Sequence, residues 1–261
     1  MSPDTDRLRR IAAQHALTAR HLGAEAVPVR TAATDSAIEP KPAPRAPVDP
    51  TPRDPSAVQQ QLDALRDRYV ADAPHKHFNT EFNNIVFGDG DPCARLMFVG
   101  EAPGAEEDKT GKPFVGRAGE LLNKMIVAMG LGRDRVYIAN VLKTRPPGNA
   151  TPTLEEMRLC APYLYEQVRI IAPEVIVTLG KPAASCLLET TQAMGKLRGT
   201  WAEFPPPDSL SPPEGFDTPI PVMPTYHPAY LLRSYTAENR AMVWSDLQQV
   251  MDRLGLRPAK R

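Results

Sequence analysis

From residue 85 onwards, apolar residues alternate between short runs typical of strands and longer segments at helical spacing. The predicted strands lie at residues 85–87, 96–99, 136–139, 175–179 and 221–225. The predicted helices, whose apolar residues lie three and four positions apart, lie near residues 118–129, 153–171, 183–188 and 237–254. This alternation predicts a three-layer α/β/α domain around a central, mainly parallel four-stranded sheet, with ligands at the carboxyl ends of the strands.

Local signals set the boundaries of several predicted helices. Thr153 and Glu156 have the spacing of a capping box and predict the start of one helix, and Gly130 is placed to end another. A further amphipathic helix is predicted ahead of the first strand. Its apolar residues at helical spacing are Val58, Leu62, Leu65 and Tyr69.

Prolines divide the chain. They make up 29 of 261 residues, about 11%, against a usual level of about 5%. Eight lie between Pro28 and Pro55 and indicate an extended linker. Nine lie between Pro205 and Pro228, and we expect a surface insertion in the first part of that range. We therefore predict an N-terminal tail with a short helix (1–22), a flexible linker (23–56) and one folded domain (57–261).

Charge and cysteine content narrow the class of protein. The 31 Lys and Arg residues balance 31 Asp and Glu residues, which excludes a globally basic nucleic-acid coat but not a local basic groove. No apolar run approaches the roughly 20 residues of a membrane span, and the charged N-terminus does not resemble a secretory signal. Three scattered cysteines form no disulfide framework and fit a reducing compartment. We expect a cytoplasmic protein without membrane contact.

The first predicted strand-end motif is acidic. Glu101 directly follows an apolar strand, where its carboxylate would point into a ligand crevice, whereas Glu106, Glu107 and Asp108 fit a solvated acidic turn. The segment lacks the Gly-Lys-Ser/Thr of a phosphate loop and the G-x-G-x-x-G of a dinucleotide fold. A phosphate-binding function is therefore not indicated.

Three further residues allow two interpretations each. Phe114, between glycines and prolines, is either a core aromatic or a platform on which a planar base stacks. Asn140 at a strand end is either a turn former or a reader of a base edge, because its amide offers an acceptor and two donors in one plane. His227, taken alone, fits a hydrogen-bonded structural residue better than a catalytic one.

Taken together, the motifs closely resemble the uracil-DNA glycosylase superfamily, and within it the thermophile-type group known as family 4. Order and spacing agree from about Val86 to about Leu247. The matching segments are Gly100-Glu101-Ala102-Pro103-Gly104, Gly111-Lys112-Pro113-Phe114-Val115-Gly116, Val136 to Asn140 with Lys143-Thr144-Arg145-Pro146-Pro147-Gly148-Asn149, Val177-Thr178-Leu179-Gly180, and Tyr226-His227-Pro228-Ala229-Tyr230-Leu231-Leu232-Arg233.

The resemblance implies a monofunctional enzyme of base excision repair. Such an enzyme flips deoxyuridine out of DNA and hydrolyses the N-glycosidic bond, which releases uracil and leaves an abasic site. Glu101 matches the carboxylate near the sugar and His227 the donor to uracil O2, so these are the predicted catalytic residues. Asn140 would donate to uracil O4 and accept from N3–H, and Phe114 would stack on the base. Ala102 and Glu107 would border the same pocket.

The resemblance also implies how DNA is held. Leu231 and Leu232 would enter the gap left in the duplex, and Arg233 would lie near a phosphate. Lys143 and Arg145 in the motif loop are the other predicted DNA contacts. We expect a monomer that binds single- or double-stranded uracil-containing DNA and associates with the nucleoid. A protein partner for the N-terminal tail is left open.

Cysteines mark the main departure from family 4, whose members hold an iron–sulfur cluster with four cysteines. Here the region of the first pair, residues 73–78, has no cysteine, the third position is Thr144, and only Cys160 remains. His75 and His77 would still leave the set a ligand short. We predict no cofactor, no metal and no cluster.

Two other functions stay open at this point. The loss of cysteines is compatible with a non-catalytic module that binds damaged DNA or recruits other proteins to it. A glycosylase for other deaminated bases, such as hypoxanthine or xanthine, would share the same motifs. The chain lacks an Arg-rich, His-containing insertion after Lys143 like that of the cross-linking relatives, so we expect turnover rather than a lasting covalent adduct.

Overall fold

The structure is a computed structural model that describes residues 53–209 and 212–258. The predicted tail (1–22) and most of the predicted linker (23–56) lie outside the described residues. The strands are β1 (Asp89–Gly90), β2 (Leu96–Gly100), β3 (Tyr137–Asn140), β4 (Val175–Leu179), β5 (Ala202–Phe204) and β6 (Ile220–Thr225). The α-helices are α1 (Pro55–Asp72), α2 (Ala105–Thr110), α3 (Arg117–Ala128), α4 (Leu154–Ile171), α5 (Lys181–Leu188), α6 (Met194–Leu197), α7 (Pro228–Arg233) and α8 (Ala237–Leu254).

The strands form one sheet in the order β1-β3-β2-β4-β6-β5. The four inner strands are parallel, whereas β1 and β5 pair antiparallel at the two edges. The α/β fold is therefore confirmed, but the predicted count of four strands is too low by the two short edge strands. The strand predicted at 85–87 is wrong. That segment is buried without joining the sheet, and the Val86 N–H donates to the Lys143 carbonyl (2.8 Å).

The inner strands are apolar because both faces of the sheet are covered. All five residues of β2 and of β4 are buried. Met97 and Val99 pack on one face with residues of α1, α4 and α5, while Leu96 and Phe98 pack on the other face with residues of α3 and α8. Continuous apolar strands of this kind are typical of parallel sheets between two helical layers.

The predicted helix signals agree with the structure. Thr153 caps α4: its hydroxyl accepts from the Glu156 N–H (3.2 Å), and the Glu156 carboxylate accepts from the Thr153 N–H (2.7 Å). The amphipathic helix expected near residue 58 is α1, which begins after the cap residue Asp54. Its four predicted apolar residues are all buried: Val58, Leu62, Leu65 and Tyr69.

The proline-rich segment between β5 and β6 is largely exposed among its described residues, as expected for an insertion. None of the helices within residues 53–209 and 212–258 is both long and apolar enough to cross a membrane.

Candidate active site

A cavity of about 390 Å³ opens at the carboxyl ends of the parallel strands. The register pairs Gly100 at the end of β2 with Asn140 at the end of β3, and β6 ends two residues before His227. Three separate motifs therefore meet at one edge of the sheet. The lining residues are Glu101, Ala102, Pro103, Gly104, Glu107, Phe114, Ala118, Asn140, Pro146, Asn149, Ala150, Thr151, His227, Ala229 and Arg233.

Glu101 supplies a carboxylate at the mouth of β2. It is partly buried, and this burial raises its pKa above the ordinary value, while the hydroxyl of Thr151 and the charge of Arg233 act in the opposite direction. The carboxylate is thus held in a site where its negative charge is poorly solvated. A positive charge that develops beside it would be stabilised more strongly than in water.

His227 presents a neutral ring with a defined tautomer. Its Nδ1 accepts a hydrogen bond from the Ala229 N–H (3.0 Å), so the neutral ring carries its proton on Nε2. Burial is the main cause that lowers the pKa of His227 to about 4, and the charge of Arg233 acts in the same direction, against the opposite effect of Glu107. At neutral pH the Nε2–H is therefore a hydrogen-bond donor without a positive charge.

Asn140 lines the cavity with an acceptor that no described residue occupies. The residue is 1% exposed, and its Oδ1 is buried without a hydrogen-bond partner within the described part of the chain. Asn140 and Phe114 both pack closely on Gly100, because a Cβ at position 100 would clash with Asn140 Oδ1 and lie 2.6 Å from the Phe114 ring. A buried acceptor beside a cavity is expected to be satisfied by a ligand.

Phe114 forms the aromatic wall of the cavity in a strained backbone conformation. Its φ is +52°, a region that bulky residues rarely adopt, and its ring centroid lies 5.5 Å from that of His227. Glu107 holds the following residues in place, because its Oε1 accepts from the N–H groups of Val115 and Gly116 (both 2.9 Å). Glu107 therefore borders the cavity and also fixes the loop that carries Phe114.

Arg133 is a contributor that the sequence patterns did not indicate. Its guanidinium donates to the carbonyls of Phe114 (3.1 Å) and Pro113 (2.5 Å). Arg133 lies in a short loop without a motif, so nothing in the sequence pointed to this contact. Asn149 and Thr151 also line the cavity, and only Asn149 had been part of a matching segment.

Most of the predicted site residues come together in this cavity. Those that line it are Glu101, Ala102, Glu107, Phe114, Asn140, His227 and Arg233. Arg145 lies beside it, where its Nε donates to Asn149 Oδ1 (2.7 Å), and Leu232 is 36% exposed on α7.

Two predicted DNA contacts need correction. Lys143 is fully buried, and its ammonium faces the protein interior rather than a DNA surface. Leu231 is 1% exposed and packs in the core with residues of α3 and α8, because α7 turns it inward while Leu232 and Arg233 face outward. Neither side chain is placed to reach DNA in this conformation.

The residues at the family's cluster position do not fit an iron–sulfur cluster. We call Tyr69, His75, Thr144 and Cys160 the Tyr69 cluster, since the Tyr69 hydroxyl lies beside Thr144 and Cys160 and its ring lies 5.5 Å from that of His75. Burial raises the pKa of the Cys160 thiol to about 11, so it is not a ready thiolate ligand. Within residues 53–209 and 212–258, no group of three or more metal-ligating side chains comes together.

The fold and the cavity define an α/β protein with a pocket of carboxylate, amide, imidazole and aromatic side chains at the carboxyl ends of its parallel strands. The protein-family model of the Uracil DNA glycosylase superfamily matches residues 87–248 of the sequence. The chain therefore belongs to this superfamily of glycosylase hydrolases.

Curated relatives agree with the motif resemblance to family 4. The Type-4 uracil-DNA glycosylase of Thermotoga maritima is 45% identical over 167 residues, which cover 64% of this chain and 81% of that protein. The Type-4 uracil-DNA glycosylase of Sulfurisphaera tokodaii is 41% identical over 177 residues, covering 65% and 74%. A Type-5 uracil-DNA glycosylase from Thermus thermophilus is 38% identical over 119 residues, covering 40% and 53%.

Proposed function

We propose that this protein is a DNA-repair glycosylase that flips deoxyuridine out of DNA and hydrolyses its N-glycosidic bond. The Type-4 relatives carry the name of this activity. The single observation in its favour is the amide of Asn140, whose buried Oδ1 has no hydrogen-bond partner among the described residues and which lines the cavity together with Phe114. An amide beside an aromatic ring suits a planar base that offers an N–H next to a carbonyl.

Base selection rests on Asn140. Its Oδ1 accepts from uracil N3–H and its Nδ2 donates to uracil O4 when the base stacks on Phe114. Cytosine presents an acceptor at N3 and an amino group at C4, so both hydrogen bonds would be mismatched. A site built to pair such groups rejects the wrong partner because its buried polar atoms are then left unpaired.

Bond cleavage places opposite charges on the two fragments. As the bond between C1′ and N1 breaks, its electron pair leaves with uracil, and the sugar becomes oxocarbenium-like. The Glu101 carboxylate stabilises this cation and orients a water molecule, whose oxygen bonds to C1′ while its proton is released. The Nε2–H of His227 donates to uracil O2 and stabilises the departing anion. The imidazole that donates this hydrogen bond is neutral, not an imidazolium.

The reaction as proposed needs no metal or cluster. Water is the only co-reactant, and the charges that develop are met by Glu101 and His227. The Tyr69 cluster supports this view because it packs phenol, hydroxyl and thiol groups where family members would hold iron. Leu232, Arg233 and Arg145 are the proposed DNA contacts that remain at or near the cavity rim, and the substrate is single- or double-stranded DNA bound by a monomer.

The test is uracil release from a labelled oligonucleotide by the purified protein. Wild type should release uracil and leave an abasic site without cutting the strand, and its absorbance spectrum should lack the visible band of an iron–sulfur cluster. Glu101→Ala and Asn140→Ala should each lower the single-turnover rate by about 10²–10³-fold, because each removes a group that meets charge or a base edge. Asn140→Asp should admit cytosine.

The outcomes separate the competing functions. Binding of uracil-containing or abasic DNA without release would favour a recruitment module, and release of hypoxanthine or xanthine in place of uracil would identify another deaminated base as substrate. Unchanged discrimination by Asn140→Asp would refute base reading by this residue.

A further inference from the structure

Lys143 is a fully buried residue that contacts the backbone of Asn140 and does not itself line the cavity. Its Nζ donates to the Asn140 carbonyl (2.7 Å) and to Gln167 Oε1 (2.5 Å). Gln167 is itself fully buried on α4, and its Nε2 donates to the carbonyl of Phe87 (2.9 Å). These contacts link the end of β3 to α4 and to the chain that leads into β1.

The Asn140 carbonyl needs this donor because the sheet does not supply one. The N–H of the next residue, Val141, points to β2, where it donates to the Gly100 carbonyl (3.0 Å). The C=O and the N–H of one trans peptide point in opposite directions, so the Asn140 carbonyl points away from β2. On that side β1 is only two residues long and pairs with Tyr137 and Ile138, short of Asn140.

The chemistry of Lys143 fits a structural donor in an apolar surrounding. Its ammonium lies 5.2 Å from the centroid of the Phe87 ring, and neither acceptor that it contacts is a carboxylate. Burial lowers its pKa to about 7, which the nearby thiols of Cys160 and Cys186 oppose. A neutral lysine amine has two N–H groups, one for each of the two acceptors that Lys143 contacts.

We propose that Lys143 is a positioning residue for Asn140: its Nζ holds the carbonyl of the residue whose amide reads the base. The proposal rests on the proposed function of Asn140. It assigns to Lys143 a role in base selection from inside the protein, in place of the DNA contact that its position in the motif had suggested. Small displacements of a positioned group can lower a rate by about two orders of magnitude, so the effect should be measurable.

The experiment is a double-mutant cycle on single-turnover uracil release, with the variants Lys143→Met and Asn140→Ala alone and combined. Lys143→Met keeps a side chain of similar length without a donor. It should slow release at least about tenfold in the wild-type background. In the Asn140→Ala background it should slow release by less than about twofold, because the amide that it positions is already gone.

The matched control is Leu164→Ala, which removes a fully buried apolar side chain from α4, the same helix as Gln167. It should lower thermal stability, and whatever effect it has on release should be the same fold-change in both backgrounds. Should Lys143→Met fail to fold, Gln167→Leu tests the same link, since it removes the second anchor of the amine and should show the same coupling to Asn140.

The outcomes are distinguishable. An active wild type with equal losses from Lys143→Met in both backgrounds, or with no loss in either, overturns the positioning role and leaves the proposed function intact. A wild-type protein that releases no uracil overturns the proposed function itself, and the role of Lys143 in uracil release with it.

Discussion

The cavity at the strand ends and the Tyr69 cluster both bury polar atoms that lack a hydrogen-bond partner among the described residues, yet they differ in the space around those atoms. Beside the cavity, Asn140 is one of the residues that line a volume of about 390 Å³, and its Oδ1 is buried next to Gly100 and the Phe114 ring. In the Tyr69 cluster, the Tyr69 and Thr144 hydroxyls are enclosed by aromatic rings and a thiol. An unpaired polar atom indicates a ligand only where a ligand has room to reach it.

The same difference separates function from stability. Polar groups beside the cavity are expected to affect the reaction and to have little effect on the fold, because a ligand or water satisfies them. Polar groups in the Tyr69 cluster are expected to affect the fold alone, since an unsatisfied buried group costs about 1–3 kcal/mol. Lys143 lies between the two regions, and burial of a lysine is otherwise uncommon.

The largest effect that tests this contrast is expected from Gly100→Ala. The added methyl group would clash with Asn140 Oδ1 and lie 2.6 Å from the Phe114 ring, so it would displace two residues that line the cavity. We expect uracil release to fall by at least about 100-fold, as for other displacements of a positioned group. Single-turnover rates and binding of uracil-containing DNA measure this loss.

Gly195→Ala is the matched control, because its nearest neighbour outside the local chain would be the Tyr226 hydroxyl at 3.8 Å. It should leave the rate within about twofold of wild type, as a surface substitution without close contacts should. A Gly100→Ala protein that keeps wild-type activity would show that uracil release does not depend on the positions of Asn140 and Phe114.

The pH dependence of uracil release tests the electrostatics of the cavity with a smaller effect. Burial raises the pKa of Glu101, so its reactive carboxylate form is lost as the pH falls, starting above the ordinary carboxyl range. Burial lowers the pKa of His227 to about 4, so its ring stays neutral between pH 5 and 8 and adds no change there. The profile of kcat/KM should therefore be flat from neutral pH down to an acid limb, with a slope of about tenfold per pH unit below the pKa of Glu101.

A His227→Asn variant separates the two groups in the same measurement. The acid limb should stay in place in this variant, although the overall rate falls. The opposite result would be an acid limb whose midpoint lies near the ordinary pKa of histidine and which disappears in His227→Asn. That result would assign the limb to the imidazole of His227 and contradict its role as a neutral donor.

The sequence located the strands that are buried along their whole length. It missed the short edge strands, which are defined only by their hydrogen bonds to a neighbouring strand. Strands such as β4 are apolar throughout and were located from their runs, whereas β1 and β5 have two and three residues and show no period. The apolar segment around Val86 resembled a strand because it is buried, but its backbone bonds to the Lys143 carbonyl outside the sheet. Burial leaves a pattern in the sequence, and pairing partners do not.

The site shows the same limit at the level of side chains. Glu101, Asn140 and His227 follow predicted strands, so their convergence was predictable from parallel topology. The burial of Lys143 was not, because its partner Gln167 lies 24 residues further along the chain in a helix with no polar motif. Leu231 and Leu232 are neighbours on α7, and only packing against α3 and α8 decides which of them faces the core.

The smallest effect is expected in the Tyr69 cluster. Tyr69→Phe removes a buried hydroxyl that lies beside Thr144 and Cys160 but makes no hydrogen bond of ordinary geometry among the described residues, and it leaves the ring that packs beside Tyr163. We expect stability to rise by about 1 kcal/mol, or roughly 2–4 °C in Tm for a domain of this size, with an unchanged rate of uracil release.

Tyr163→Phe is the control, because the Tyr163 hydroxyl donates to Asp72 Oδ2 (2.6 Å) and its removal should lower stability slightly. Thermal unfolding of both variants measures the difference. If Tyr69→Phe proves the more destabilising of the two, the Tyr69 hydroxyl is paired in solution, and the contrast between a closed polar cluster and an open polar cavity does not hold.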